Sequence, residues 1–357
     1  MIVHATASVP LGILSDKWIR KKIISIGISI WSVATFCSGL ANNFFQLLIT
    51  RGVVGIGEAS YVPAATSLIA DNFPESKRGK ASSIFHLGMF TGGALGMVLA
   101  GVIGTHLGWR ACFFIVALPG IILAYTILKI KEDKPHEQLT SQVNAKNIFS
   151  LFKNKAYLLT LCGGIFLTFT SSAIIAWVSQ FFIRYHNYSV QDASLTIGMV
   201  VLIAGPLGIY SGGYFSDYLF NKFNAPRSVV IAFAFILSSP VMYLTLVTSN
   251  ETIMLISLFI ATYLMTWYYG PMVALIQDIV SPFLKATAFA MYLLFVHLIG
   301  STPAPAIIGK VSDFTDLRTS MFITVATNFF GGILFLFTTL YLRKIRAPII
   351  PNFQETN

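Results

Sequence analysis

Arg51 and Glu58 are the only charged residues in the apolar run from Leu47 to Ile69. Seven residues is close to two helical turns, so in a helix both side chains leave the same face. A charge inside a membrane is costly and needs a partner or an aqueous cavity. A carboxylate placed there can exchange protons, because burial favours its neutral form and a nearby cation favours its charged form. An arginine offers a planar fork for an anionic headgroup. Two readings fit the pair. One is proton exchange with solute binding, which is our expectation; the other is a structural ion pair that ties this helix to a neighbour.

A second constellation is written twice. Gly12-Ile-Leu-Ser-Asp16 returns as Gly213-Tyr-Phe-Ser-Asp217, 201 residues on. Asp71 followed by Arg78 returns as Asp278 followed by Lys285, 207 residues on. A glycine permits close helix packing. An aspartate just beyond it can cap the N-terminus of a neighbouring helix or pair with a cation. Such contacts make a latch that can be broken and remade. We expect a gate from Gly12, Asp16, Arg20, Asp71, Arg78, Gly213, Asp217, Asp278 and Lys285.

A third group is aromatic. Tyr263, Trp267, Tyr268 and Tyr269 crowd one apolar stretch. They suit either the wall of a cavity for an apolar solute or plain helix packing, and the sequence leaves both open. His86 and His297 occupy corresponding spans of the two repeats. Each is read first as a hydrogen-bonded packing residue, with proton relay as the alternative. Gly88, Gly92 and Gly96 recur every four residues and predict a smooth, closely packed helix face. Pro303 and Pro305 should bend or break their helix.

These residues must be held by membrane helices. The 357-residue chain is 55% hydrophobic and 11% charged, with a mean hydropathy of +0.74. That composition is too poor in polar residues for a soluble surface. About 20 apolar residues cross the hydrocarbon. Ten spans are predicted, near 23–41, 44–70, 81–105, 110–129, 156–183, 191–215, 227–247, 252–276, 286–309 and 319–342. The residues before Asp16 form a shorter eleventh. With the loop 17–22 placed in the cytoplasm, 19 of the 24 Lys and Arg fall on the cytoplasmic side. The positive-inside rule supports that orientation and puts the C-terminus in the cytoplasm.

The formal charge of +10 does not point to nucleic acid, because the basic residues sit in short loops between apolar runs. The three cysteines Cys37, Cys112 and Cys162 have no metal or disulfide spacing. No phosphate-binding loop, catalytic triad or metal cluster stands out. We expect no enzyme activity, no cofactor and no metal. The predicted organisation is a membrane bundle at 1–129, a cytoplasmic linker at 130–155, a six-helix membrane bundle at 156–346 and a cytoplasmic tail at 347–357.

The segment Gly12-Ile-Leu-Ser-Asp16-Lys-Trp-Ile-Arg20-Lys21-Lys22 resembles the loop signature of the major facilitator superfamily, with Ile19 where that signature has glycine. Arg51-x-x-x-Gly55-x-Gly57-Glu58-Ala59-Ser60-Tyr61, Ile69-Ala-Asp71-Asn-Phe and Arg78-Gly-Lys-Ala are similar to the Spinster-like family within it. Gly108-Trp109-Arg110, Leu118-Pro119-Gly120 and Tyr269-Gly270-Pro271 extend the likeness. Organic-anion symporters of the same superfamily share the Arg-to-Glu spacing. The resemblance implies an all-α fold of two pseudo-symmetric six-helix bundles, with about 11 spans here because the first helix and part of the second are missing. It implies a secondary active transporter, coupled to protons, moving an amphipathic, lysolipid-like or anionic solute by alternating access. Arg51, Glu58, Tyr61, Trp267 and Tyr268 would line the central site. A monomer in the cell (inner) membrane, surrounded by lipid, is expected. The alternatives are an organic-anion symporter and a degenerate protein that transports nothing.

Overall fold

The computed structural model describes residues 2–130, 132 and 145–346. Most of the predicted linker and all of the predicted tail lie outside these residues. What is described is all-α. The first half holds α1 (Ile2–Lys17), α2 (Arg20–Gly39), α3 (Phe44–Asn72), α4 (Arg78–Leu107) and α5 (Trp109–Ile127). The second holds α6 (Lys155–His186), α7 (Val190–Phe223), α8 (Ser228–Val247), α9 (Glu251–Met265), α10 (Tyr269–Ile279), α11 (Lys285–Phe295), α12 (Ala304–Phe314) and α13 (Leu317–Arg346). Nine helical runs among the described residues are long and apolar enough to cross a membrane, and α4 adds a further helix of 30 residues.

The helix ends obey local rules. Asn43, Asn154, Ser189 and Asn250 accept backbone hydrogen bonds at the starts of α3, α6, α7 and α9, which satisfies donors that have no partner inside the helix. Asn187 and Asn224 end α6 and α7 in the left-handed conformation that asparagine tolerates. Asp316 caps α13, accepting from Thr319 N at 3.0 Å, Thr319 Oγ1 at 2.6 Å and Tyr185 OH at 3.0 Å. Those donors pull its carboxyl down to about 2.

The predicted break near Pro303 is real, and the chain prepares for it over a longer stretch. Residues Val296–Ser301 form a π-helix before α12 begins. A one-turn widening of this kind frees backbone groups, and Thr168 and Ser172 of α6 donate to two of them, Val296 O at 2.8 Å and Ser301 O at 2.7 Å.

Each half has its own apolar core. Ile23, Ile24, Ile28, Ala64 and Ala65 join α2 to α3. Tyr157, Leu167, Phe235, Leu275 and Phe335 anchor the second half. Glycine allows the tightest crossing. A Cβ on Gly27 would stand 1.7 Å from Ser60 Oγ and 2.9 Å from Gly57 O. Gly27→Val is therefore expected to lower stability by about 1–3 kcal/mol through overpacking, seen as a lower thermal midpoint in detergent. Gly88→Ala is the control, because a Cβ there meets nothing within 4 Å. That openness also departs from the expected closely packed glycine face: among the described residues nothing lies within 4 Å of the Cβ positions of Gly88, Gly92 or Gly96.

Candidate functional site

At the end of the molecule that carries loop 17–22, the halves hold each other crosswise. Asp16, on the last turn of α1, accepts from the backbone N–H groups of Ala286 at 3.0 Å and Thr287 at 2.7 Å, in the first turn of α11. Asp217, on α7, accepts from Gly79 N at 3.0 Å and Lys80 N at 2.7 Å, in the first turn of α4. Both carboxylates are buried. Each satisfies two helix-end donors and meets the positive end of a helix dipole. Gly12 and Gly213 make the approach possible. A Cβ on Gly12 would stand 2.5 Å from Ala290 Cβ, and one on Gly213 would stand 2.8 Å from Gly79 O.

Around these caps runs a network of ions. Arg20 pairs with Asp71, and Lys285 of the other half reaches the same carboxylate at 2.5 Å. In the mirror arrangement Arg227 pairs with Asp278 at 2.9 Å, and Arg78 of the other half reaches that carboxylate at 2.9 Å. Arg227 also binds Asp217 and the backbone oxygen of Glu75. The two circuits are not equal. Arg227 is 1% exposed and Asp278 4%, whereas Arg20 is 12% and Asp71 39% exposed. Glu132 adds a cap of its own, accepting from Arg20 N at 3.0 Å and Lys21 N at 2.8 Å at the start of α2.

Arg227 is absent from the gate expected from the sequence, although the structure puts it at the centre of one circuit. The signal was present: it stands 207 residues after Arg20, the same offset that relates Asp71 to Asp278 and Arg78 to Lys285.

Behind the network lies an aromatic layer. Tyr61 packs edge-on to Trp31 at 5.6 Å and against Phe85 at 5.2 Å. Phe85 leads to His86 at 5.2 Å, and His86 to Tyr269 of the other half at 5.5 Å. Tyr268 lies against Tyr269 and Phe235. Trp267 stacks on Phe215 at 5.1 Å. The aromatics thus cement helices to one another. Tyr61, Trp267 and Tyr268 each have ring partners of their own, and among the described ring and cation contacts none involves Arg51 or Glu58. His86 behaves as a packing residue, its Nδ1 2.9 Å from Ser82 O.

Arg51 and Glu58 both lie on α3 as expected and are exposed. Among the described residues neither is in an ion pair within 4 Å, so the alternative reading of a structural ion pair is not what is seen there. Seven residues of helix separate them by about 10 Å along the axis, and with open space on that face nothing forces the side chains together. Between them on α3, Gly55 faces His4 of α1, whose backbone N would be 3.5 Å from a Cβ on that glycine. The ring of His4 meets that of His297, on the π-helix of the other half, edge-on at 6.3 Å. Two imidazoles, His4 and His297, thus meet across the halves beside α3. A groove of about 430 Å³ between α2 and α3, lined by Val33, Cys37, Thr50 and Val53, contains neither Arg51 nor Glu58.

Comparison with known proteins draws these features together. The family model of the Major Facilitator Superfamily matches residues 1–305. Protein spinster of Drosophila melanogaster is 26% identical over 318 residues, covering 85% of this chain and 52% of the fly protein, so the chain spans about half of that relative's length. The probable sphingolipid transporter spinster homolog 2 of Arabidopsis thaliana is 28% identical over 83% of this chain and 64% of its own length. Among solved structures, a bacterial homolog to the human lysosomal transporter Spinster, inward-facing and unoccupied, shares the fold with a TM-score of 0.65 at 22% identity, over 98% of this chain and 88% of its own. The fucose:proton symporter FucP of E. coli matches with a TM-score of 0.76 at 15% identity, over 94% of this chain and 88% of its own.

Proposed function

Because this chain belongs to the Major Facilitator Superfamily, we propose that it is a proton-coupled secondary carrier held with its cytoplasmic side closed. The observation that carries this reading is the reciprocal capping by Asp16 and Asp217 across the junction of the halves. Every group in those caps can be satisfied by water instead, so the caps can be broken and remade without breaking a covalent bond. The lysine-rich loops argue that the capped end faces the cytoplasm, with the C-terminus on that side. In this reading 1–129 and 156–346 are the rocking bundles, joined by 130–155, and the gate comprises the nine residues expected from the sequence together with Arg227.

In this reading Glu58, exposed on α3, exchanges its proton with the other compartment while the cytoplasmic end is shut. Arg51, one face along, receives an anionic headgroup. The solute is amphipathic and lysolipid-like: the exposed Arg51 supplies the only cation on that helix, and the surrounding stretch is apolar. The likeness to a probable sphingolipid transporter points the same way.

The test is uptake of a fluorescent lysophospholipid into proteoliposomes under an imposed pH gradient. Glu58→Gln is expected to fall to the rate seen without a gradient, while Arg51→Ala weakens solute binding. Accumulation that still follows the gradient in Glu58→Gln would end the coupling role of this residue.

A further inference from the structure

Where α4 begins and α7 ends, a groove of about 370 Å³ opens at the junction of the two halves. Lys77 and Lys80 come from the first half; Tyr214, Tyr218, Asn221 and Lys222 come from the second. Among the described residues none of the three lysines is in an ion pair. Lys80 Nζ lies 5.9 Å over the ring of Tyr210, and Lys222 Nζ donates to Tyr218 OH at 2.9 Å. Asp217 borders the groove, but its oxygens are already taken by Gly79, Lys80 and Arg227. Of the charged residues that line the groove, three are lysines and one, Asp217, is acidic. The groove has a standing excess of positive charge.

The outer face of α7 supplies the second observation. Ile203, Leu207, Tyr210, Tyr214, Tyr218 and Lys222 follow one another at helical spacing, and all six are exposed. Along the helix the stripe passes from aliphatic to aromatic to cationic. That is the order of hydrocarbon, interface and headgroup in a bilayer. A small soluble anion would use only the last part of it.

We propose that this groove binds an anionic phospholipid of the surrounding bilayer. Its phosphate sits among Lys77, Lys80, Lys222 and the Tyr218 hydroxyl, and an acyl chain lies along Tyr210, Leu207 and Ile203. The site is separate from the solute site and takes a lipid as a ligand, not as cargo. Its cations come from both halves, so it is whole only while Asp217 caps α4. The lipid therefore favours the capped state, by binding that state better than one in which the halves have parted.

The test uses the full chain in phosphatidylcholine nanodiscs with and without phosphatidylglycerol, read by native mass spectrometry for retained phosphatidylglycerol. Lys77→Gln/Lys80→Gln/Lys222→Gln is expected to bind that lipid on the order of 100-fold more weakly, from roughly a fivefold loss per lysine. Lys129→Gln/Lys153→Gln/Lys155→Gln removes the same charge elsewhere and should retain it. Retention by the first variant, or equal loss in both, overturns the site. Inorganic phosphate is added in a third arm; if it displaces the lipid at millimolar concentration, the ligand is soluble phosphate and the lipid assignment fails. If the triple variant does not fold, Lys222→Gln alone is expected to show about a fivefold loss, and no loss there is equally fatal.

Discussion

Arg227→Met is expected to cost about 3–5 kcal/mol of stability, the penalty for removing one partner of a buried ion pair. The guanidinium is the shared counter-charge of Asp217 and Asp278, both largely shut off from water. Without it the two carboxylates face each other with Arg78 as their nearest remaining cation, paired to Asp278 alone. Arg227→Lys should rescue little, because a point charge cannot reach Asp217, Asp278 and the Glu75 carbonyl from one planar fork. The comparison that decides the matter is Arg20→Met at the matching position. Its partner Asp71 is 39% exposed and keeps Lys285 as a second cation, so water and lysine absorb most of the loss. Unfolding of both variants in detergent should separate them clearly. Equal losses would mean that the inner circuit is no more sheltered than the outer one.

Asp16→Asn together with Asp217→Asn should release the capped end. Each aspartate accepts two backbone hydrogen bonds, and an asparagine keeps only one oxygen for them. A hydrogen bond to a charged group contributes about 1.5–3 kcal/mol. Losing one at each cap shifts the ratio of closed to open by on the order of 100-fold or more. Spin labels at Lys22 and Phe223, both exposed and in opposite halves, should report a longer distance in the double variant and an intermediate population in each single one. An unchanged distance distribution would show that the caps do not hold this end shut.

Much of this was legible before any coordinates. Eight of the ten predicted spans each fall on one described helix, because hydrocarbon thickness dictates their length, while 252–276 and 286–309 each fall on two. The doubled Gly-x-x-Ser-Asp pointed to caps, and caps are what Asp16 and Asp217 make. Arg227 was passed over because a basic residue in a short loop has a sufficient explanation in topology; only its offset from Arg20 distinguishes it. Arg51 and Glu58 show the opposite fault. Spacing assigns two residues to one helix face but says nothing of whether the side chains close the distance, which depends on what covers that face. Glu132 was hidden in a polar stretch with no periodicity, and the π-helix at Val296–Ser301 has no residue signature apart from the prolines that follow it.

The caps have one more consequence, for how such a sequence can drift. Asp16 and Asp217 grip main-chain N–H groups, which every residue except proline supplies. The gripping residue is thus answerable to a partner that has no side chain to change. The two copies of the motif bear this out within a single chain: aspartate holds in both, while the residues held are Ala286 and Thr287 in one copy and Gly79 and Lys80 in the other. What limits the receiving side is room and not side-chain chemistry: a Cβ on Gly79 would stand 2.7 Å from Asp217 Oδ1 and 2.8 Å from Arg227 Nη1, whereas the next position carries Lys80, which lines the groove beside Asp217.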